Sequence, residues 1–235
     1  DFINITSLGD TPDALQRIDT DFKQAEYTFK VDYTHPFSKK VTLETGAQYV
    51  INDLSNDYSV DNFVDNVWIN DANFSNVFDF NQGVLGVYST LAYEGEKWGL
   101  KAGLRLEDTD LKTELVTTSE KNNQKYTNLF PSLHTSYKLT DNFSLQAGYS
   151  KRVYRPRLWH LNPFFSFRDN FNLRTGNPNL MPEFTDSFEL NSIYHLGDIS
   201  FNFGIYHRIT TDVIERITIF SENVSTSLPQ NIGTN

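Results

Sequence analysis

Segments in which apolar and polar residues alternate with period two recur along most of the chain. In "AEYTFKVDY", residues Ala25, Tyr27, Phe29, Val31 and Tyr33 share one parity, and the residues between them are polar or charged. Successive side chains of a β-strand point to opposite faces, so this pattern predicts a strand with one apolar face. The pattern resumes after "HPFSKK" and recurs in later segments, so we expect an all-β, antiparallel fold.

The alternating segments form four pairs, and each pair is joined by a short turn. The pairs lie at about residues 25–51, 85–106, 133–149 and 188–205. They predict eight strands in four hairpins, with a ninth strand from about residue 216. The connections between pairs, near residues 52–82, 107–128, 151–183 and 209–218, are mostly long and polar. Turns alternate between the ends of an up-and-down sheet, so we expect all the long loops at one end.

This asymmetry is typical of an outer-membrane β-barrel, which has short periplasmic turns and long extracellular loops. Six aromatic residues beside the short turns have the apolar parity, where a membrane-interface girdle is expected: Tyr33, Tyr93, Trp98, Tyr137, Phe143 and Tyr194. Residues of the polar parity are expected to face the lumen, for example Lys101, Arg105, Ser144 and Gln146. A soluble glycan-binding β-sandwich is the alternative, because its strands also alternate and periodicity alone does not distinguish lipid from a protein core.

Composition and motifs exclude several classes of function. The chain has 30 acidic and 20 basic residues and a net charge of −10, which argues against a nucleic-acid surface. It has no cysteine, which excludes disulfides and thiolate metal sites. No window of 18 consecutive apolar residues predicts a membrane-spanning helix, and residues 1–20 lack the features of a signal peptide. G-x-S-x-G, H-E-x-x-H and a phosphate-binding glycine loop are absent, and the histidines lack zinc-like spacing, so we predict no enzyme, cofactor or metal site.

One block of the sequence resembles the barrel of TonB-dependent outer-membrane receptors, particularly the outer membrane beta-barrel family of Gram-negative bacteria. Its elements are "FPS" at 130–132, "YSKRVYRP" at 149–156, "LNPF" at 161–164 and "GNPNLMPE" at 176–183. With the hairpin "VLGVYSTLAYEGEKWGLKAGLRLE", the resemblance covers most of residues 83–207.

The resemblance implies a multi-pass barrel of about 22 strands in the outer membrane, with a plug domain in its lumen and a short motif that contacts TonB. About nine strands cannot form that barrel, so we expect residues 1–235 to be a single partial barrel domain, without the plug. A closed barrel of eight to ten strands would have its interior filled by side chains. The expected partners are outer-membrane lipid and lipopolysaccharide, and the TonB complex through the plug. A surface lipoprotein over the mouth is left open.

The function that the resemblance implies is import of a scarce nutrient, of the siderophore, glycan or peptide class. A barrel without transport activity, acting in adhesion, assembly or secretion, is the alternative.

The long connection at 151–176 is rich in arginine and aromatic residues. Arginine forks suit carboxylates and phosphates, and aromatic rings suit sugar or catechol faces, so this loop is the candidate ligand site. The candidate residues are Arg152, Arg155, Arg157, Trp159, His160, Asn162, Phe164, Phe165, Arg168 and Arg174. Alternatively, the prolines and aromatics fold the loop over the barrel mouth, and the arginines contact lipopolysaccharide phosphates or acidic loops.

The connection at 52–82 has the opposite charge, with six aspartates and no lysine or arginine. Calcium binding is one hypothesis for this connection, because Ca²⁺ takes clustered oxygen ligands, although the EF-hand pattern is absent. A solvated acidic loop, or one that pairs with the basic loop, is the alternative.

Overall fold

A computed structural model of the chain describes residues 2–6, 14–164, 166–169, 172–221 and 223–235, with the backbone alone for 2–6, 14 and 166–169. The described elements are fourteen strands and one short helix. In chain order they are β1 Phe2–Thr6, β2 Ala14–Pro36, β3 Val41–Val64, β4 Val67–Asn70, β5 Asn76–Glu94, β6 Trp98–Leu115, β7 Glu120–Lys138, β8 Phe143–Tyr154, α1 Leu158–Leu161, β9 Ser166–Asp169, β10 Asn172–Arg174, β11 Glu183–Leu196, β12 Ile199–Thr211, β13 Ile214–Ser221 and β14 Val224–Asn231.

The long strands form one antiparallel sheet. Its order is β1-β2-β3-β5-β6-β7-β8-β11-β12, and β4 pairs with the end of β3. The four predicted hairpins are confirmed, with turns at 37–40, 95–97, 139–142 and 197–198. The tightest of these turns needs Gly197, whose φ of 59° lies in the left-handed region that a two-residue hairpin turn uses.

Two of the predicted long loops are instead mostly strand. β3 runs to Val64 and β5 starts at Asn76, while only residues 116–119 separate β6 from β7. The connection from β12 to β13 is also short, at residues 212–213. The prediction of long loops was wrong there because the strands continue past the end of the apolar row that marked them in the sequence. The connection at 155–182 is the long one, and it contains α1, β9 and β10.

The predicted ninth strand is β13, but it does not extend the main sheet. It belongs to a second sheet of order β13-β14-β10-β9, in which β14 and β10 run parallel. The ninth strand of the main path is β1, at its other edge.

The apolar residues exchange faces part way along β5 and β6. On β6, Trp98, Leu100, Leu104 and Leu106 lie on the exposed face, whereas Leu111 lies on the opposite face and is only 2% exposed. On the neighbouring strand, Leu85, Val87, Leu91 and Tyr93 are exposed, and Phe78 and Phe80 are buried. The exposed row on β6 runs from 98 to 106, and about 9–11 residues suffice for a tilted strand to cross the hydrocarbon. The strands therefore have a lower part with an apolar outer face and an upper part with an apolar inner face.

The exposed row contradicts the β-sandwich alternative, because a sandwich would bury that row against a second sheet. The part of the chain that the structure describes contains no candidate membrane-spanning helix.

The structure places the six predicted girdle aromatics beside the short turns: Tyr33, Tyr93, Trp98, Tyr137, Phe143 and Tyr194. The rings of Trp98 and Tyr137 pair with centroids 4.4 Å apart, and those of Phe143 and Tyr194 with centroids 6.3 Å apart. Their contact with the membrane interface stays a prediction.

A charge placed in the middle of the exposed apolar row should destabilise the protein in lipid. Leu91 is half exposed and pairs with Ala102 near the centre of the row. We expect Leu91→Arg to lower the free energy of unfolding in phospholipid vesicles by about 2–4 kcal/mol, because the guanidinium would lie in hydrocarbon. Denaturant titration measures this. Asn123→Arg, an exposed position on the upper part of β7, is the control and should have little effect. Equal effects of the two variants would contradict a lipid-facing row.

Candidate functional site

The 155–182 loop is held against the inner face of the upper strands by a compact apolar cluster. Phe78 and Phe80 of β5 and Leu111 and Leu115 of β6 supply the wall side of this cluster. The loop supplies Leu158, Leu161 and Leu180, and Leu161 is fully buried. Burying one leucine side chain contributes about 1.5–3 kcal/mol, so the three leucines together stabilise the attachment of the loop to the wall.

A buried carboxylate anchors the start of the loop to β6. Glu107 is 8% exposed and accepts a hydrogen bond from Arg155 and another, of 2.5 Å, from Arg105 Nε. A guanidinium nitrogen of Arg155 also lies 3.4 Å from the Thr109 hydroxyl. A buried carboxylate without such partners would be strongly destabilising, so the two arginines and Glu107 act together. Arg155, predicted to bind ligand, is occupied in this ion pair.

The "LNPF" and "GNPNLMPE" motifs lie against each other and close the loop. The backbone N–H of Gly176 donates to the carbonyl of Asn162, and that of Asn177 donates to the carbonyl of His160, both at 2.7 Å. A Cβ on Gly176 would lie 2.4 Å from the Asn162 oxygen, so only glycine permits this approach. The side-chain amide of Gln124 on β7 donates to the Pro178 carbonyl at 2.6 Å. These two of the motifs that carry the resemblance therefore build the loop itself.

A pocket of about 530 Å³ lies between this loop, the inner face of β2 and β3, and the second sheet. Arg174 of β10 and Arg216 of β13 both line it. The aromatic lining is Phe22, Tyr58, Trp159 and Phe164, and the polar lining includes Thr20, Asn56, Asn162 and Thr175. The Tyr58 and Phe164 rings pack with centroids 6.1 Å apart. The arrangement offers two cationic forks and several flat apolar surfaces to one small volume.

The pocket lies in a positive electrostatic environment. Burial and the neighbouring Arg174 guanidinium lower the pKa of Arg216. Burial, followed by the charges of Arg216 and Arg157, lowers the pKa of His160, and Glu183 opposes this shift. Within the described part of the chain, neither Arg174 nor Arg216 forms an ion pair. An anion would therefore be favoured here.

The structure brings four of the predicted ligand residues into the pocket: Trp159, Asn162, Phe164 and Arg174. Arg157 and His160 do not line the pocket. The Arg157 guanidinium lies over the Trp159 ring, 5.8 Å from its centroid, and His160 follows Trp159 on α1. Arg152 is an exposed residue of β8 and does not line the pocket. Phe165 lies outside the described residues, and Arg168 is described by its backbone alone.

Sequence reasoning missed the wall side of the pocket and Arg216. Phe22 and Tyr58 have even numbers, whereas the apolar residues of the lower part of β2 and β3 have odd numbers. That switch of parity was the available signal. The sequence contains no such signal for Arg216. This residue lies on β13, which is brought to the pocket because β13 pairs with β14 and β14 pairs with β10.

The predicted lumen residues lie on the inner face of the lower part. Lys101 Nζ lies 3.0 Å from Glu44 on β3, and Arg105 donates to the Gln48 side chain at 3.4 Å. Ser144 and Gln146 lie on β8, and Gln146 lines an inner-face cavity together with Lys101. That these residues line a lumen stays a prediction.

The acidic connection at 52–82 is a pair of strands rather than an acidic loop. Asp61 on β3 forms an ion pair of 2.6 Å with Arg17, and Asp79 on β5 accepts a hydrogen bond from Ser55 at 2.7 Å. No three acidic or histidine side chains in the described ranges are grouped to hold a metal ion.

Shortening a buried leucine should release the loop without unfolding the sheet. We expect Leu161→Ala to weaken closure of the loop by about 2–5 kcal/mol, because it leaves a cavity in the apolar cluster. Hydrogen exchange of residues 158–180 measures this opening. Trp159→Ala, on the same turn of helix and 53% exposed, is the matched control and should leave protection unchanged. Equal loss of protection in β5 and β6 would mean that the loop does not open as a separate unit.

Loop closure should weaken in acid. The pKa of His160 is lowered in the closed loop but lies near 6.5 in an unfolded chain. The open form therefore binds the proton more tightly, and closure loses stability as the pH falls below about 6.5. Trp159 fluorescence between pH 8 and pH 5, in a Trp68→Phe, Trp98→Phe background, reports the opening. His160→Gln should abolish the dependence, and an unchanged profile in that variant would assign it to another group.

Comparison with known proteins agrees with this architecture. A family model described as "Outer membrane protein beta-barrel family" matches residues 1–235. No curated protein matches. The solved structure of "Copper transporter OprC" has a TM-score of 0.69 at 16% identity, and the match covers 94% of this chain and 34% of that one.

Two further solved structures have the same fold. The ferric yersiniabactin uptake receptor FyuA from Yersinia pestis gives a TM-score of 0.54 at 12% identity, with coverage of 86% of this chain and 30% of that one. The FrpB iron transporter from Neisseria meningitidis gives 0.56 at 16% identity, with coverage of 95% and 32%. The chain thus spans about a third of the length of these solved chains.

Proposed function

The chain belongs to the outer membrane protein beta-barrel family, and from that premise we propose that it is part of the barrel of a TonB-dependent transporter that imports a scarce nutrient. The family is located in the Gram-negative outer membrane. In this proposal, residues 1–235 form one partial barrel domain of about nine strands in a barrel of about 22. The plug that fills the lumen is contributed by another part of the full-length protein.

The observation that carries the proposal is the pocket on the inner face of the upper strands. An adhesin or a structural barrel needs its contact residues on the outside, whereas a transporter needs them where the ligand enters. Here Arg174, Arg216 and the aromatic residues converge on the inner side of the wall, under the loop. This favours ligand capture over the alternative of a barrel in adhesion, assembly or secretion.

The inner face of the lower part supports the same function. Charged and polar side chains pair there across an intervening strand, as in Lys101 of β6 with Glu44 of β3 and Tyr88 of β5 with Asp32 of β2. Such groups are stable at membrane depth only where they face water or other protein groups. We propose that Lys101, Arg105, Ser144 and Gln146 line the lumen or contact the plug, and that energy delivered through TonB to the plug opens the path.

The similar solved structures support a class of nutrient. Their titles name a copper transporter, an iron transporter and an uptake receptor for ferric yersiniabactin. We propose a metal chelate of the siderophore class as the cargo, with a glycan or peptide as the alternative. All three are transporters or receptors, which supports a role without enzymatic activity.

Direct contact with TonB tests the proposal without knowledge of the ligand. The full-length protein in detergent should bind the periplasmic C-terminal domain of TonB, with a dissociation constant in the micromolar range typical of transient contacts, on the order of 1 μM. Surface plasmon resonance measures it. A non-transporting outer-membrane barrel in the same detergent is the control and should give no signal. Failure of the full-length protein to bind would favour adhesion, assembly or secretion.

A further inference from the structure

Resting on the transport function proposed above, we infer that the pocket between the 155–182 loop and the inner face of β2 and β3 binds a small ligand with an oxyanion group on a flat apolar body. The oxyanion is a carboxylate or a phosphate. The two arginines bind the anion, and the aromatic residues contact the body of the ligand.

The charge of the pocket requires an explanation that the fold does not supply. The chain carries a net charge of −10, yet Arg174 and Arg216 line the same small volume without an ion pair among the described residues. Two neighbouring cations destabilise each other, and the pKa of Arg216 is lowered by burial and by Arg174. Two arginines near the pocket do have carboxylate partners, Arg17 with Asp61 and Arg155 with Glu107. Arg174 and Arg216 remain available to a ligand.

The guanidinium group determines which anions fit. Its planar fork donates two parallel hydrogen bonds to the oxygens of a carboxylate or phosphate. Arg174 extends from β10 and Arg216 from β13, and these strands lie on either side of β14 in the second sheet. An oxyanion between them would receive donors from two elements at once. A neutral ligand would leave both charges unpaired.

The aromatic lining determines the body of the ligand. Phe22 and Trp159 are large side chains and about half exposed. They line the pocket and do not belong to the apolar outer row, so contact with lipid does not explain their exposure. Tyr58 packs against Phe164 and is partly buried. Flat aromatic surfaces of this kind stack on rings and conjugated systems. A flat ligand would cover the exposed parts of these side chains.

The pocket has the size and the preformed geometry of a small-molecule site. Its volume of about 530 Å³ lies within the range of about 300–1,000 Å³ found for such sites. Thr175, beside the arginine on β10, is fixed by its hydroxyl, which donates to the Pro163 carbonyl at 2.6 Å. The buried leucines of α1 hold Trp159 and Asn162 in place. Little ordering is therefore required when the ligand binds.

Salicylate, phenyl phosphate and salicylamide separate the parts of the inference. Isothermal titration calorimetry with the full-length protein in detergent should show binding of salicylate or phenyl phosphate. The stronger of the two identifies the oxyanion. Salicylamide has the same ring and no charge, and we expect its affinity to be at least about tenfold lower, the loss typical of a charged hydrogen bond. Succinate, an anion without a ring, should also bind more weakly. Equal affinity for salicylate and salicylamide would overturn the inference.

Variants locate the site. Arg174→Gln and Arg216→Gln should each lower the affinity for the anionic probe by about tenfold or more. Arg152→Gln, an exposed arginine outside the pocket, is the matched control and should keep it. Heat-modifiable migration on gels reports folding, and if Arg216→Gln fails to fold, Arg174→Gln decides. Unchanged binding in the folded pocket variants would place the site elsewhere. Because this assay needs no TonB, a protein that binds TonB but not the probes loses this inference and keeps the transport function.

Discussion

The exchange of apolar residues from the outer to the inner face of the strands is the constraint on which the architecture depends. A strand presents alternate residues to opposite faces, so a shift of one residue in the apolar pattern moves the apolar side chains from one face to the other. Below the exchange, Leu104 and its neighbours face outward, and above it Leu111 and Leu115 face inward. The inner face of the upper part is then unstable when exposed to water. The loop from 155 to 182 covers it, and the pocket lies at the edge of that cover.

The hairpins could be predicted from the sequence because the signal that defines them is local. Each short turn joins two strands whose apolar rows lie on the same face of the sheet, and the structure has these turns where they were expected. The sequence predicts loops for the upper strands because their apolar residues have the opposite parity and share their face with polar residues, as Leu111 does with Thr109 and Thr113. An apolar row of one parity indicates only one face of a strand. It therefore does not predict the part of the strand in which that face becomes polar. Following the parity of Phe78, Phe80 and Leu111 would have extended β5 and β6.

The candidate site was predicted in part, and the part that was missed depends on long-range contacts. Trp159, Asn162 and Arg174 belong to a block whose motifs are recognisable in one stretch of sequence. Arg216 lines the same pocket although it is about 40 residues later in the chain than Arg174, and Tyr58 lines it although it is about 120 residues earlier. Nothing in their local sequence indicates a shared volume. Arg155 shows the converse: its type suggested a ligand, but the buried Glu107 uses its charge to fix the loop.

The ladder between β6 and β7 determines how this wall can respond to an occupant. Eighteen successive residue pairs, from Trp98 with Tyr137 to Leu115 with Glu120, join the two strands without interruption. Sliding one strand past the other would break every backbone hydrogen bond in that ladder together, since the register changes as a unit. The described part of the 155–182 loop has no such ladder to β5 or β6, which it contacts through the side chains of the apolar cluster, and its β10 pairs with β14 over only three residues. Mechanical compliance is therefore concentrated in the loop, while the strands act as a stiff frame that transmits force without changing shape.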